Sequence, residues 1–563
     1  MAGIVKTVVG PIQPLLDGAK SRLNDLCKGL EPWQIVVYTC GGTVIAIAIK
    51  DFLNGEESLQ VRSKRTFFKW MKKIPYVKKK IEEELEKNVK GMEKSLCHGT
   101  EGSAFVLKLP KEGLTEVELT KELERYRNLD KIPWEKGLVS GAVYSGDPVL
   151  TEVMTKAYSM FAWTNPLHPE VFPDVRKMEA EVVRMTCSMF NGGPQTCGTM
   201  SCGGTESILL ACLAYRNMAR EERGIKFGEI IVPVTAHAAF DKAAHLLHMK
   251  ITHIPVDPET KKANVKAMKR AISRNTVMLV ASAPGFPHGV IDPVEEIAAL
   301  GKYYNIPVHV DSCLGGFLIP FMGKAGFPLS PFDFRVPGVT SISADTHKYG
   351  YAPKGSSVIM YKDKKYRSFQ FFNQPDWPGG IYASPTLMGS RAGAIIAACW
   401  ATMMYIGEDG YVDATRKIIN ATKYLEEKLH TINGIKVIGK PDVSVIAIGS
   451  DDFNIYRLSD ALASKGWTLN PLQFPPSVHF CVTLLHTKEG VIDSFVNDVR
   501  TMTDDIMKVP DAKTGGAAVI YGMAQSIPDR TLVSELTRTF LDLCYDTSLT
   551  SVSTNGHSIP NGN

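Results

Sequence analysis

Between residues 100 and 435, short β-branched runs alternate with longer helical patterns, and this alternation is the strongest constraint on the fold. Strands separated by helices usually run parallel and are covered by those helices. We therefore predict an α/β fold with a mostly parallel central sheet covered by helices. The predicted strands are 229–234, 251–255, 277–282, 306–310, 339–343 and 356–361, with helices near 205–222, 238–248, 263–273 and 293–304.

The remaining sequence predicts smaller segments on either side of this large domain. A strand–helix–strand–helix pattern over residues 440–508 predicts a small C-terminal α+β domain, reached through a linking helix over 410–430. The last residues are rich in Ser, Thr, Asn and Gly, which predicts a disordered tail. The predicted segments are 1–32 (N-terminal segment), 33–53 (transmembrane helix), 54–100 (basic collar and linker helix), 101–410 (large cofactor-binding domain), 411–545 (small domain) and 546–563 (tail).

An uncharged run near the N-terminus predicts one transmembrane helix. Residues 35–49 carry no charge, and the flanking residues bring the run close to the length of a short span. A buried strand or core helix is the alternative. Residues 61–80 hold nine Lys and Arg and no acidic residue. The positive-inside rule therefore predicts a cytosolic C-terminal side and a lumenal N-terminus, although the same basic residues could also contact anionic lipid headgroups.

The charge and the cysteines exclude two further classes of protein. The net charge is +5, from 64 basic and 59 acidic residues, which is too small and too evenly spread for a nucleic-acid-binding chain. The basic collar accounts for this excess. The eleven cysteines lack the spacing of metal ligands, so we expect neither a metal site nor a disulfide framework.

The segment Ser341–Gly350 predicts a reactive lysine where a strand ends. His347 and Lys348 follow the strand over 339–343 directly. A lysine in such a loop is suited to a Schiff base, because burial and neighbouring cations lower the pKa of its amine. An ordinary surface lysine is the alternative.

Three other motifs fit the binding of a flat cofactor that carries a phosphate and a ring nitrogen. Asp311 follows a buried strand, where it would pair with a cation such as a pyridinium nitrogen or cap a helix. Gly204 and Thr205 begin an apolar helix, whose first N–H groups would bind a phosphate unless the turn is an ordinary cap. His237 follows a strand and would either stack on a flat ring or serve a structural purpose.

The order of these motifs resembles the fold-type I pyridoxal-phosphate enzymes of the group II decarboxylase family. In that order, a phosphate turn and a stacking histidine precede a strand-end aspartate, and the lysine follows the aspartate by 37 residues. Further runs are similar to the members of this family that cleave phosphorylated sphingoid bases, and the resemblance covers about residues 30–545. Those runs are 165–169, 286–293, 345–355 and 379–385.

The resemblance implies pyridoxal 5'-phosphate as the cofactor and a role for each candidate residue. Lys348 would carry the cofactor covalently, Asp311 would pair with its pyridinium and His237 would stack on its ring. Members of this family resemble one another in being obligate homodimers with shared sites, in which Gly389 and Ser390 would reach the partner subunit's cofactor. The other implied cofactor contacts are Gly204, Thr205 and His347, and the implied substrate contacts are Tyr144, Asn165, His168, Lys354 and Tyr382.

The resemblance also implies a reaction and a location. The reaction is retro-aldol cleavage of the C2–C3 bond of a phosphorylated sphingoid base, releasing a fatty aldehyde and phosphoethanolamine. An amino-acid decarboxylase on the same fold and an inactive membrane-anchored scaffold are the alternatives. The implied location is the endoplasmic reticulum membrane, with the catalytic domain in the cytosol.

Two short motifs depart from the family pattern. Ser201 and Cys202 stand where members usually have Thr and Ser, and Ser312 stands where they usually have Ala. Both changes are small in volume, so we expect cofactor binding to survive, with a modest effect of the Ser312 hydroxyl on affinity.

Overall fold

The computed structural model describes residues 27–53, 74–97, 104–129, 132–512 and 530–548, with scattered positions between 18 and 71. The chain forms two compact units, residues 1–74 and 75–563. Most of the predicted collar before residue 74 and of the predicted tail lies outside the described residues.

The main element of the first unit is helix α1 (Pro32–Leu53). Its bounds agree with the predicted segment 33–53 to within one residue, so the helix itself is confirmed. Its crossing of a membrane is not confirmed, because no helix within the described part of the chain has both the length and the apolar character that a span requires.

A seven-stranded sheet forms the centre of the second unit. Its strands are β1 (Cys197–Ser201), β2 (Glu229–Pro233), β3 (Lys250–Ile254), β4 (Thr276–Ser282), β5 (Val308–Asp311), β6 (Val339–Ala344) and β7 (Ser357–Tyr361). Their order is β1-β7-β6-β5-β4-β2-β3. Only β7 runs antiparallel to its neighbours in this sheet, so the predicted mostly parallel sheet is confirmed.

The central strands are buried along their whole length because both faces of the sheet are covered. Every residue of β4 is buried, as expected for a sheet packed between helices. The four predicted helices correspond to α6 to α9 below. The helices before and between the strands are α2 (Pro75–Cys97), α3 (Glu116–Arg127), α4 (Pro148–Phe161), α5 (Pro173–Met189), α6 (Gly204–Arg223), α7 (Ala239–Leu246), α8 (Val265–Ala271), α9 (Val294–Tyr304) and α10 (Ile319–Met322).

Beyond β7 the chain adds a short hairpin, a long helix and a second sheet. The predicted linking helix is longer than expected, since it begins at residue 393 and continues past a non-helical Gly407. The four-stranded antiparallel sheet has the order β10-β11-β13-β12. The elements are α11 (Lys364–Ser368), β8 (Phe372–Gln374), β9 (Tyr382–Ser384), α12 (Gly393–Leu429), β10 (Lys436–Val437), β11 (Val445–Gly449), α13 (Ile455–Ser464), β12 (Asn470–Leu472), β13 (Ser477–Cys481), α14 (Val491–Met507) and α15 (Arg530–Leu543).

The boundary between the large and small domains at residues 410 and 411 stays a prediction. This position lies inside α12, which extends from residue 393 to residue 429.

Candidate active site

The carboxyl ends of β5 and β6 bring Asp311 and the loop that carries Lys348 to one edge of the sheet. These strands are neighbours and run parallel. In parallel α/β sheets, ligands bind outside this edge. The N-terminus of α6 lies at the same place, because a Cβ added to Gly204 would stand 2.8 Å from the Cys313 sulfur and 2.7 Å from the Asp345 Oδ1.

A cavity of about 330 Å³ opens between these elements. It brings together five of the residues predicted to bind the cofactor, namely Gly204, Thr205, His237, His347 and Lys348. The other residues that line it are Cys202, Gly203, Glu206, Ile208, Cys313 and Asp345.

The start of α6 fits a phosphate. Its N-cap is Gly203, which offers no side-chain hydrogen bond to the first turn. Gly204 is required there, since a Cβ at this position would collide with the Asp345 carboxylate and the Cys313 sulfur. A helix N-terminus without a side-chain cap keeps its first N–H groups available and is suited to an anion.

Asp311 fits the positive end of a pyridine ring. Its side chain is buried, and its Oδ1 accepts a hydrogen bond from the Cys313 N–H at 3.0 Å and one from the Ser343 hydroxyl at 3.4 Å. Asp311 does not cap a helix, because α10 begins eight residues later, at Ile319. A buried carboxylate is costly without a cation, so its position agrees with a protonated ring nitrogen as its partner.

Lys348 is correctly placed, but the predicted direction of its pKa is wrong. Burial is the largest single influence and lowers the pKa of this amine, but Asp345, whose Oδ2 lies 2.9 Å from Nζ, together with Cys313 and Tyr144 raises the pKa overall. The expected lowering rested on burial and on neighbouring cations. The nearest charged group is an anion instead.

The two histidines of the site differ in their surroundings. His347 is largely buried, which lowers its pKa, and its Nδ1 lies 2.5 Å from the Ser356 carbonyl oxygen. A carbonyl only accepts, so Nδ1 carries the proton and Nε2 of the neutral ring is an acceptor. His237 is exposed at the cavity wall, and its Nδ1 accepts the Ala239 N–H at 3.1 Å. That bond fixes the ring, which leaves its flat face available for stacking.

A second cavity of about 190 Å³ meets the first at His347 and Lys348, which line both. It contains the predicted substrate residues Tyr144 and Lys354. The Lys354 ammonium lies 5.0 Å above the Tyr144 ring and donates to the His347 carbonyl oxygen at 3.2 Å. Burial raises the pKa of Tyr144, so its hydroxyl stays protonated, whereas burial and the Lys348 charge lower the pKa of Lys354.

A third group of predicted residues lies together, but outside both cavities. The Asn165 amide donates to the Ser390 hydroxyl at 3.1 Å, and the Tyr382 hydroxyl lies 2.8 Å from where a Cβ on Gly389 would stand. His168 is exposed and lines neither cavity. The described chain therefore does not bring these residues to Lys348.

Sequence reasoning missed two carboxylates of the site. Asp345 was seen as part of the loop but given no role. Glu206, in the first turn of α6, accepts the Cys202 N–H at 2.7 Å and the Leu387 N–H at 3.1 Å, which ties the phosphate turn to the segment that carries Gly389 and Ser390. A buried glutamate so near a glycine turn was the available signal.

Two of the residues that depart from the family pattern, Ser312 and Cys202, make local hydrogen bonds. The Ser312 hydroxyl is buried and donates to the Ala283 carbonyl oxygen at 2.9 Å, so the structure does not support an effect of this hydroxyl through the cavity wall. Cys202 lines the cavity but contributes its backbone N–H to Glu206.

A model of the pyridoxal-dependent decarboxylase conserved domain matches residues 148–448 of the chain. The chain belongs to this family. Sphingosine-1-phosphate lyase 1 of Rattus norvegicus is 53% identical to it over 530 residues, which is 94% of this chain and 93% of the relative. The sphingosine-1-phosphate lyase of Saccharomyces cerevisiae is 44% identical over 494 residues, which is 86% of this chain and 83% of the relative.

A solved structure agrees with the curated relatives. The sphingosine-1-phosphate lyase of Burkholderia pseudomallei has a TM-score of 0.72 and 37% identity, covering 79% of this chain and 98% of its own. The family match makes the protein a pyridoxal-phosphate-dependent enzyme with a fold-type I architecture. The uncapped α6 turn and the buried Asp311 are the features of this chain that fit the cofactor.

Proposed function

We propose that the protein cleaves the C2–C3 bond of sphingosine 1-phosphate and related phosphorylated sphingoid bases, releasing a fatty aldehyde and phosphoethanolamine. The observation that carries this proposal is the junction of the two cavities at Lys348. One cavity has the anion-binding turn of Gly204, and the other has a cation, Lys354, for a second phosphate. The named activity of the similar relatives supports the same substrate class.

Each residue of the site has a task that follows from its surroundings. Gly204 and Thr205 would hold the cofactor phosphate, Asp311 the ring nitrogen, and His237 the ring face. Lys348 would hold the cofactor through its Nζ. When bound, pyridoxal phosphate supplies an electron sink that stabilises negative charge on the carbon next to the substrate nitrogen.

Proton movement would fall to the residues around the junction. Lys348 lines both cavities, so its Nζ is suited to deliver a proton where they meet. His347 presents an unprotonated Nε2 and is suited to accept the proton of the C3 hydroxyl. Tyr144 stays protonated, so it is suited to donate a hydrogen bond to the substrate phosphate rather than to act as a base.

The decisive experiment measures products. The purified full chain loaded with pyridoxal phosphate is incubated with sphingosine 1-phosphate, and aldehyde and phosphoethanolamine are quantified by mass spectrometry. We expect release from the phosphorylated base and little from sphingosine. In Lys354→Met, KM for the phosphorylated base should rise while cofactor absorbance stays unchanged. Release of carbon dioxide from amino acids without aldehyde would instead establish the alternative decarboxylase.

We propose further that the active unit is a homodimer in which the third group of residues serves the partner subunit's cofactor. Tyr382, Gly389 and Ser390 lie outside the cavities of their own chain, and apolar side chains nearby are exposed, among them Trp377 and Ile381. Co-expression of Lys348→Ala with Tyr382→Ala tests this directly. A shared site regains activity in the mixed dimer, whereas a site built from one chain does not.

For location, we propose that residues 1–74 attach the enzyme to the endoplasmic reticulum membrane, with the N-terminus lumenal and the catalytic unit cytosolic. Trp33 and Tyr38 on α1 are exposed, as are Val36, Val37, Val44 and Ile45. The sequence Asn420–Thr422 is a glycosylation acceptor that this orientation leaves unused. Carbonate extraction separates a spanning anchor from a peripheral one, and glycosylation of Asn420 in cells would overturn the orientation.

A further inference from the structure

Asp345 is a buried carboxylate that the reaction scheme leaves without a task. It follows β6 and its residue is 2% exposed. Its Oδ2 lies 2.9 Å from the Lys348 Nζ and 3.7 Å from the His347 Nε2. Its Oδ1 is buried and has no hydrogen-bond partner within the described structure. Oδ2 therefore contacts the lysine, whereas Oδ1 faces a place that offers it no hydrogen-bond donor.

That place is the start of α6. A Cβ on Gly204 would stand 2.7 and 2.8 Å from the two carboxylate oxygens, so the carboxylate lies directly against the first residue of the helix. This is the same end of the helix that fits the cofactor phosphate. A carboxylate and a phosphate side by side repel each other while both are ionised, and loss of the carboxylate's charge would remove this repulsion.

The lysine beside it has the opposite requirement. An ammonium cannot attack an aldehyde, so Lys348 must lose a proton before it can hold the cofactor. The titratable groups that interact with it are Asp345 and His347 from its own loop, Lys354, Cys313 from the turn after β5, Tyr144 from the segment before α4, and Cys481 at the end of β13. Asp345 is the anion in direct contact with it.

We propose that Asp345 is the proton acceptor that switches Lys348 from ammonium to amine when a phosphate arrives at the Gly204 turn. The proton moves from Nζ to Oδ2 along the 2.9 Å contact, so that an N–H bond breaks and an O–H bond forms. Lys348 becomes a neutral nucleophile, and Asp345 becomes a neutral acid that no longer repels the phosphate. Before a phosphate binds, the same carboxylate keeps Lys348 protonated and unreactive.

This inference rests on the proposed function only for the identity of the cofactor, and its test uses no substrate. The full chain is stripped of cofactor, and reductive methylation of Lys348 by formaldehyde and cyanoborohydride is followed by peptide mass spectrometry as a function of pH. Methylation of Lys362, an exposed lysine that lines neither cavity, is the internal control in the same digest.

Two results are expected. Inorganic phosphate at constant ionic strength should accelerate methylation of Lys348 in the native chain. Asp345→Asn, which is of equal size and carries no charge, should methylate Lys348 about tenfold faster near neutral pH and lose the response to phosphate. Glu295→Gln removes an exposed carboxylate of α9 that does not line the cavity, and it should keep the native pH profile of Lys348.

An unchanged pH profile in Asp345→Asn, or a native chain in which phosphate leaves Lys348 methylation unaffected, would overturn the proposal. The native measurement stands alone if the variant fails to fold, which its near-ultraviolet circular dichroism reports. Failure to cleave sphingosine 1-phosphate, with the methylation pattern as expected, would overturn the proposed function and leave the role of Asp345 intact.

Discussion

The cavities around Lys348 and the third group of residues around Ser390 differ in how their polar side chains are held. Around Lys348 the groups are buried and close together, and they shift one another's pKa values. Asn165 and Ser390 are bonded to each other near the surface, and neither lines a cavity. The groups of the first region act on one another within one chain, whereas Asn165 and Ser390 lie apart from both cavities.

The largest expected effect is the loss of activity on removal of Lys348 from the first region. Lys348→Ala should reduce aldehyde release by roughly 10³-fold or more, because it removes both the cofactor attachment and a proton donor. The visible absorbance of the loaded enzyme should disappear with it. Lys362→Ala, an exposed lysine after β7, is the control and should match the native rate. Equal loss in both variants would contradict the assignment.

The phosphate turn tests how tightly the first region is packed. Gly204→Ala places a Cβ within 2.8 Å of the Asp345 carboxylate and the Cys313 sulfur. Overpacking of this kind costs about 1–3 kcal/mol, so the melting temperature should fall and cofactor affinity should weaken.

Gly193→Ala is the matched control for this turn, since no atom lies within 4 Å of its added Cβ. Titration of pyridoxal phosphate by absorbance measures the affinity of both variants. A Gly204→Ala protein with native affinity would show that the turn is looser than the structure has it.

Acid sensitivity separates the buried region from the exposed one. Burial lowers the pKa of His309 to about 4, from an ordinary value near 6.5. A lowered folded-state pKa contributes stability that is present above pH 6.5 and lost as the pH falls toward 4.

We therefore expect the free energy of unfolding to fall by about 2 kcal/mol on account of His309 between pH 7 and pH 5. Urea unfolding of His309→Gln at the two pH values should show a correspondingly smaller acid loss. His168→Gln, at an exposed position, should keep the native acid loss. Equal pH dependence in both variants would refute the assignment to His309.

The smallest effect is expected at the third group. Ser390→Ala removes one hydrogen bond from Asn165 near the surface, which is worth about 0.5–1 kcal/mol at most. Thermal unfolding should therefore change little. Cofactor affinity should nevertheless weaken if Ser390 reaches the partner subunit's cofactor. Weaker affinity with unchanged stability would support that contact, whereas unchanged affinity would indicate a purely local hydrogen bond.

The sequence predicted the fold of the large domain and the centre of its site for a physical reason. Strands separated by helices form a parallel sheet, and parallel neighbours place their carboxyl ends at one edge, where Asp311 and the loop of Lys348 lie. Strand β1 was missed because its residues lack a β-branched run. Gly198 lets it approach β7 closely, since an added Cβ would stand 2.2 Å from the Ile359 carbonyl oxygen.

Other features of the site depend on distances that spacing does not encode. The pKa of Lys348 is set by which side-chain oxygen lies beside it, and Asp345 lies three residues before it, within the same loop. The position of Tyr382 and Ser390 outside both cavities depends on the path of the chain after β7, which the spacing of these residues does not show.

The antiparallel strand β7 has one more consequence. Because it returns directly beside β6, a single loop between residues 345 and 356 carries both Lys348 and Lys354. The lysine that would hold the cofactor and the one that would bind the substrate phosphate therefore belong to one short segment that can be exchanged as a unit. Exchanging this loop between relatives should transfer headgroup preference without rebuilding the sheet, whereas an insertion within it would disturb both functions at once.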